Sequence, residues 1–358
     1  MKITVRILTL MLALVLSFAI VACTAEEPND TSDTTADPHS QSASDGLRTA
    51  LDLTAEWNKV TDVQNSLAQG CIIVRKDFAD AHPAEVKAFL AEYKASVEFI
   101  SEDIDTASNL IAEAGILPKA AIAKAAIPNC NIVYVDGDDM KSALSSFYSI
   151  LYSVEPSSIG GAVPDNGIYY TAPETSVNPD SSLKVNVTVL SGTTGMGMAK
   201  LMSESKAGNA ALDYNFTVVS DATQIAAGII GKSIDIAAVP TNLASTLYKK
   251  TSGNVNVLTV NTLGVLYVLE KGNTITSVAS LKGKTVYVPG QGTNPEYILK
   301  YIIEKNGLKV GTDVKFDYTY ASPDELSNAV VAGLVDIALL PEPKVTAVKA
   351  QVKAAAAK

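Results

Sequence analysis

Arginine and histidine are scarce in this chain. Arg6, Arg48 and Arg75 are the only arginines in 358 residues, and His39 and His82 the only histidines. So few arginines argue against a bidentate clamp on sulfonate or phosphate. His39 falls in a polar stretch and His82 directly precedes Pro83, which leaves no histidine for a catalytic triad or a His-rich metal site. Trp57 is the single tryptophan, read as a core or rim packer, with stacking on a ring at a cleft as its other role. Of three cysteines, Cys71 and Cys130 have no metal-ligand spacing. Each sits in an apolar strand-like run and reads as a buried free thiol rather than half of a disulfide. A net charge of −10 disfavours nucleic acid, whose phosphates require a basic face.

Residues 1–22 have the pattern of an export signal. Lys2 and Arg6 supply the positive start, and Leu8 to Ile20 an apolar run too short for a comfortable span. Ile20-Val21-Ala22-Cys23 resembles a lipobox, which implies lipidation of Cys23 as the first mature residue. The rest of 23–46 is Asp, Thr, Ser and Pro with almost nothing to bury, so a flexible tether is expected. Together they imply a domain anchored by lipid outside the cytoplasmic membrane.

A duplication organises the remainder. Gly231-Lys232-Ser233-Ile234-Asp235-Ile236-Ala237-Ala238-Val239-Pro240 recurs as Gly333-Leu334-Val335-Asp336-Ile337-Ala338-Leu339-Leu340-Pro341, with 101 residues between the two aspartates. Upstream, Leu190 to Gly195 echoes Val288 to Thr293, and Phe216 pairs with Phe316. Each copy reads strand, Gly-rich turn, helix, strand, helix, strand. So long a period predicts two α/β lobes, each a mostly parallel sheet flanked by helices, with a cleft between them. Asn261 to Glu270 reads as one long apolar strand crossing between the lobes, and Gly70 to Lys76 as its return counterpart.

These motifs resemble the substrate-binding proteins of ABC transporters that serve nitrate, sulfonates, taurine and thiamine precursors, a type 2 periplasmic-binding fold. Ser191-Gly192-Thr193-Thr194-Gly195-Met196-Gly197-Met198 is similar to the family's first cleft loop, and Ala237 to Ser245 to its second. Asn261 to Val268 resembles the first hinge, Pro289 to Tyr297 the far-lobe loop, and Leu340-Pro341-Glu342-Pro343 the end of the far-lobe sheet. The order differs from the family. Residues 47–170 resemble its last third, yet precede residues 183–351, which resemble its first two-thirds. A circular permutation accounts for this, with residues 171–182 joining the family's ends. The expected organisation is 47–69 in lobe 2, 70–170 as return hinge and part of lobe 1, and 183–264 as the rest of lobe 1. Residues 265–351 then form the hinge strand and main part of lobe 2, and 352–358 a tail.

Ligands of open α/β sheets bind beyond the carboxyl ends of strands, where helix N-termini favour electron-rich groups. That rule nominates Thr193, Thr194, Gly195 and Met196 in lobe 1 and Gln291, Gly292, Thr293 and Asn294 in lobe 2. Gly195 and Gly292 are expected to line one shared cavity. Thr241 and Asn242 open a helix in the second loop, and Leu263 and Gly264 lie at the hinge. Glu342 is nominated for a cationic or amine-bearing ligand. Asp235 and Asp336 precede their strands and read as turn or core-edge residues. The resemblance implies a monomer that needs no cofactor or metal, partnered by a small solute, a permease and, through Cys23, the membrane. An extracytoplasmic sensor acting on a receptor is the alternative. A pyrimidine-synthesising enzyme of this fold would require a Cys-rich, His-bearing iron site.

Overall fold

The computed structural model describes residues 46–174 and 177–357. The export signal, the tether and Cys23 lie outside them.

Strand β1 (Leu47–Asp52) leads into α1 (Leu53–Val60), whose N-terminus is capped by Asp52 Oδ1 accepting from the Thr54 and Ala55 amides. Next come β2 (Gly70–Arg75), α2 (Lys76–Ala81), α3 (Pro83–Glu102), α4 (Ile104–Glu113), α5 (Ala120–Ala126), β3 (Ile132–Val135) and α6 (Gly137–Val154). The first repeat contains β4 (Lys184–Leu190), α7 (Thr193–Met196), α8 (Ala199–Ala207), β5 (Asp213–Val219), α9 (Ala222–Ile230), β6 (Ile236–Pro240) and α10 (Thr241–Lys250). After β7 (Val255–Thr262) and β8 (Leu266–Lys271), the second repeat follows. It comprises β9 (Thr285–Tyr287), α11 (Asn294–Lys305), β10 (Lys315–Asp317), α12 (Pro323–Val331), β11 (Ile337–Pro341) and α13 (Lys344–Ala356).

Two sheets result. One has the order β3-β7-β2-β6-β4-β5 and forms lobe 1; the other has the order β1-β8-β11-β9-β10 and forms lobe 2. The duplication seen in the sequence is a duplication of topology. In each copy the first strand lies between the second and third, as β5-β4-β6 and β10-β9-β11, with all pairs parallel. Strands β8 and β1 extend the lobe 2 sheet, and β2, β7 and β3 the lobe 1 sheet, through antiparallel pairs.

The expected single strand from Asn261 to Glu270 is broken. Its first part completes β7 in lobe 1 and its second forms β8 in lobe 2, so the crossing is confined to Leu263-Gly264-Val265. Packing accounts for the break. A Cβ on Gly264 would collide with Thr54 Oγ1 and lie 2.6 Å from Leu67 Cδ2, so only glycine lets the chain pass here. The return crossing is residues 61–69 rather than the strand beginning at Gly70, which lies wholly within the lobe 1 sheet. The two crossings are bonded side by side: the Val265 amide donates to Gln69 Oε1 at 2.7 Å, and the Gln69 amide to the Thr262 carbonyl at 3.0 Å.

Trp57 is fully buried at the junction. Its ring centroid lies 5.7 Å from Phe147 of α6 and 5.0 Å from Tyr301 of α11, and its Nε1 donates to Ser66 Oγ at 2.9 Å. It is a packer between helices of the two lobes. Cys71 and Cys130 are buried and free. Burial pushes the Cys130 thiol up to about 12, with the nearby Glu342 carboxylate adding to the effect.

Candidate functional site

Four strand ends converge where the lobes meet. From lobe 1, β4 turns through Gly192 (φ +93°) into α7, and β6 runs through Pro240 into α10. From lobe 2, β9 turns through Gly290 and Gly292 (φ +70° and +76°) into α11, and β11 passes Glu342 into α13. The glycines occupy left-handed backbone conformations that other residues adopt only at a cost.

Two contacts close the seam. Asn294 Nδ2 of α11 donates to Asn242 Oδ1 of α10 at 3.0 Å, and Thr193 Oγ1 donates to the Glu342 carbonyl at 2.9 Å. Neither α10 nor α11 has a side-chain cap on its first turn. Their partial positive ends therefore face each other through the two asparagines. Asn294 is 9% exposed and its Oδ1 is buried with no hydrogen-bond partner. The buried Ser158 Oγ is also unpartnered, while the Ser158 carbonyl accepts from Asn242 Nδ2 at 3.5 Å. An unpartnered buried acceptor costs about 1–3 kcal/mol. The seam can thus accept a group that donates to Asn294 Oδ1 and also accepts from helix amides.

The other nominated residues are dispersed. The Thr194 carbonyl accepts from Asn261 Nδ2 of β7 at 2.8 Å. Gly195 is buried in lobe 1, where a Cβ would collide with the Leu190 carbonyl and lie 2.7 Å from Val189 Cγ1. Met196 is fully buried among Ile111, Ile116 and Leu117, so it is a core residue. Gln291, Gly292 and Thr293 form an exposed turn folded on itself: the Gly292 amide donates to Glu296 Oε2 at 2.6 Å, and Thr293 Oγ1 donates to the Gly290 carbonyl. Gly195 and Gly292 therefore do not share a cavity; side chains meet at the seam where glycines were expected. Thr241 is fully buried and latches onto the return crossing, with Oγ1 donating to the Ala68 carbonyl at 2.6 Å. The Leu263 amide donates to the Asn131 carbonyl at 3.1 Å, and the Gly264 carbonyl accepts from Asn131 Nδ2 at 2.5 Å. Both lie in the crossing between the two sheets.

Glu342 has two faces. Its main chain meets Thr193, whereas its side chain caps the first turn of α13, with Oε2 accepting from the Thr346 amide at 3.1 Å and Oε1 from Thr346 Oγ1 at 2.9 Å. Burial raises its carboxyl above the ordinary range, against the lowering effect of those bonds. Arg48 and Arg75 are occupied structurally, with Glu270 at 2.6 Å and Asp235 at 2.8 Å. Asp235 also accepts from the Asn186 amide at 2.9 Å, which is the core-edge role read for it. Asn261, Asn131, Ser158 and Gln69 were not nominated. Asn261 stood at the head of the hinge motif, but nothing in the local pattern marks Ser158 or Gln69. Among the described residues no group of three or more His, Cys, Asp and Glu could hold a metal ion. No described helix is long and apolar enough to cross a membrane.

Residues 254–357 match the family model described as NMT1/THI5 like. No curated protein matches the sequence. Similar solved structures include an ABC transporter protein from Parabacteroides distasonis, 22% identical over 48% of this chain and 56% of that one, TM-score 0.33. The periplasmic aliphatic sulphonate binding protein SsuA from Escherichia coli is 19% identical over 47% of this chain and 57% of its own, TM-score 0.34. The alkanesulfonate-binding protein SsuA from Xanthomonas axonopodis pv. citri, bound to MOPS, is 18% identical over 45% and 55%, TM-score 0.30. The chain spans little more than half the length of each of these structures. The family-model match is confined to residues 254–357, the stretch that holds the inter-lobe crossing, the far-lobe loop and Glu342.

Proposed function

We propose that this protein is an extracytoplasmic solute-binding lipoprotein of an ABC importer. It closes two lobes on a small molecule and delivers it to the membrane permease, with Cys23 as the lipid anchor. The observation that carries this reading is the pair Asn242 and Asn294, each at the uncapped start of a helix from a different lobe, with Asn294 Oδ1 buried and unpartnered. Opening is a hinge motion about residues 61–69 and 263–265, and the solute shifts the population toward the closed form. A neutral solute carrying both a donor and an acceptor suits the seam better than a sulfonate, because both arginines among the described residues are engaged in ion pairs. Thermal-shift and calorimetric screening of nitrate, sulfonates, taurine and pyrimidines tests this. At a hundredfold excess over Kd, a true solute should stabilise by about 2.7 kcal/mol. No stabilising ligand across such a panel would contradict the reading.

We also propose that the chain order is a rotation of the family order. Two observations support it. Helix α13 lies against β1, with Lys349 Nζ 3.4 Å from Thr49 Oγ1, so the family's continuous path from one to the other needs only a short connection. The segment 171–182 leaves from Tyr170, whose amide donates to the Val257 carbonyl at 3.0 Å, and returns to β4 in the same sheet. The Asp180 amide, near its end, donates to Glu85 Oε1 at 2.9 Å.

A further inference from the structure

Beside the seam runs a groove of about 850 Å³ whose walls belong to different lobes. Strand β1 and helix α13 form one side, and α5 with Asn129 the other. Its surface is mostly apolar, with Leu47, Ala125, Val345 and Val352 among its lining. Its innermost polar side chains are Glu342, 4% exposed, and Tyr267, 8% exposed. The Tyr267 hydroxyl is committed to the Asn129 carbonyl at 3.0 Å, across the lobes.

Two buried carboxylates among the described residues lack an ion pair, Glu85, which accepts from the Asp180 amide, and Glu342, and of these Glu342 lines the groove. Glu270 is paired with Arg48 and Asp235 with Arg75, but Glu342 has only Thr346 as a donor. Among the described residues no ammonium or guanidinium lies within ion-pair distance of it; the nearby Lys349 turns its Nζ to Thr49 Oγ1. A carboxylate desolvated with only the charge of Lys349, beyond ion-pair distance, to offset it is costly, and an entering cation removes much of that cost. The apolar walls would take the organic part of such a ligand.

We propose that this groove binds an organic primary amine, with its ammonium against the Glu342 carboxylate and its apolar body along Val345, Val352 and Ala125. The rim lysines Lys349 and Lys353 would instead favour an organic anion. Depth decides between the two: both lysines are exposed and screened by solvent, whereas Glu342 is buried. Because the walls come from both lobes, an occupant also favours the closed form.

Calorimetric titration of the full chain at neutral pH with phenethylammonium chloride tests the site, with 3-phenylpropionate as the anionic counterpart. Saturable one-to-one binding of the amine is expected, stronger than that of the carboxylate. Glu342→Gln should weaken it at least tenfold. Ala350→Phe, which fills the groove from the exposed side of α13 and leaves the carboxylate intact, should weaken it by a similar factor. Circular dichroism melts establish that both variants are folded. Absence of saturable amine binding would overturn the proposal, as would unchanged binding in folded Glu342→Gln or a preference for 3-phenylpropionate. The titration requires no solute at the Asn242–Asn294 seam, so its failure leaves the proposed transport function untouched.

Discussion

Arg48 on β1 and Glu270 on β8 form a 2.6 Å ion pair that fastens β1 to the rest of the lobe 2 sheet. The arginine also donates to the Gly272 carbonyl at 2.9 Å and the Ile275 carbonyl at 2.5 Å. Glu270 accepts in addition from the Thr274 amide at 2.9 Å and the Ile275 amide at 3.1 Å. A carboxylate so fully bonded carries its own register information for an antiparallel edge strand.

Removing the arginine strands a buried charge. Arg48→Met should destabilise by about 2 kcal/mol, less than for a fully buried pair because the guanidinium is partly exposed. Burial alone would raise the Glu270 carboxyl, but bonds from Thr274, Ile275 and Arg48 outweigh it and hold it below the ordinary range. Its contribution to stability is therefore complete above about pH 4.3, the ordinary carboxylate value, and is lost as pH falls through the lower folded value. Urea melts of wild type and Arg48→Met between pH 7 and pH 3 should converge at the acid end.

Glu342 has the opposite sign. Its folded carboxyl titrates above the ordinary range, so the native state holds the proton more tightly than the unfolded chain does. The stability from that proton is complete below about pH 4.3 and is lost as pH rises through the folded value. Glu342→Gln should raise the melting temperature by a few degrees at pH 7, and the gain should disappear on acidification. A melting temperature lowered at pH 7 would mean that the cap on α13 outweighs the cost of the buried charge.

Gly264 is the narrowest point of the inter-lobe crossing. Gly264→Ala would push a methyl into Thr54 and Leu67, and overpacking of this kind costs about 1–3 kcal/mol. The urea midpoint should fall with the slope unchanged, whereas Gly292→Ala in the exposed turn should act only through its local backbone conformation, at φ +76°.

If residues 171–182 only join ends that the family leaves free, cutting them should matter little. A protease site placed in this segment and cleaved should leave two fragments that co-elute and melt together. Fragments that separate after cleavage would contradict the rotated order.

Much of this architecture was legible in the sequence, because local pattern determines it. The paired Asp-Ile-Ala motifs marked β6 and β11, and their Gly-rich turns marked the ends of β4 and β9. Pro83 opens α3 as its fixed φ predicts. What local pattern could not give was long-range placement. An apolar run from Asn261 to Glu270 looks the same whether it is one strand or two strands in different sheets; the steric limit at Gly264 comes from Thr54 and Leu67, far earlier in the chain. The same holds at the seam. Met196 and Gly195 lie beside Thr193 in sequence, yet they turn into the lobe 1 core while Thr193 crosses to Glu342. Ser158 reaches Asn242 from a segment with no motif of its own.

Native mass spectrometry of protein purified from its own host tests the central claim most directly. The account predicts a small molecule bound one-to-one to the wild-type chain and missing from folded Asn294→Ala, which loses the bond to Asn242 and the buried acceptor together. A solute retained by Asn294→Ala at wild-type occupancy would contradict it.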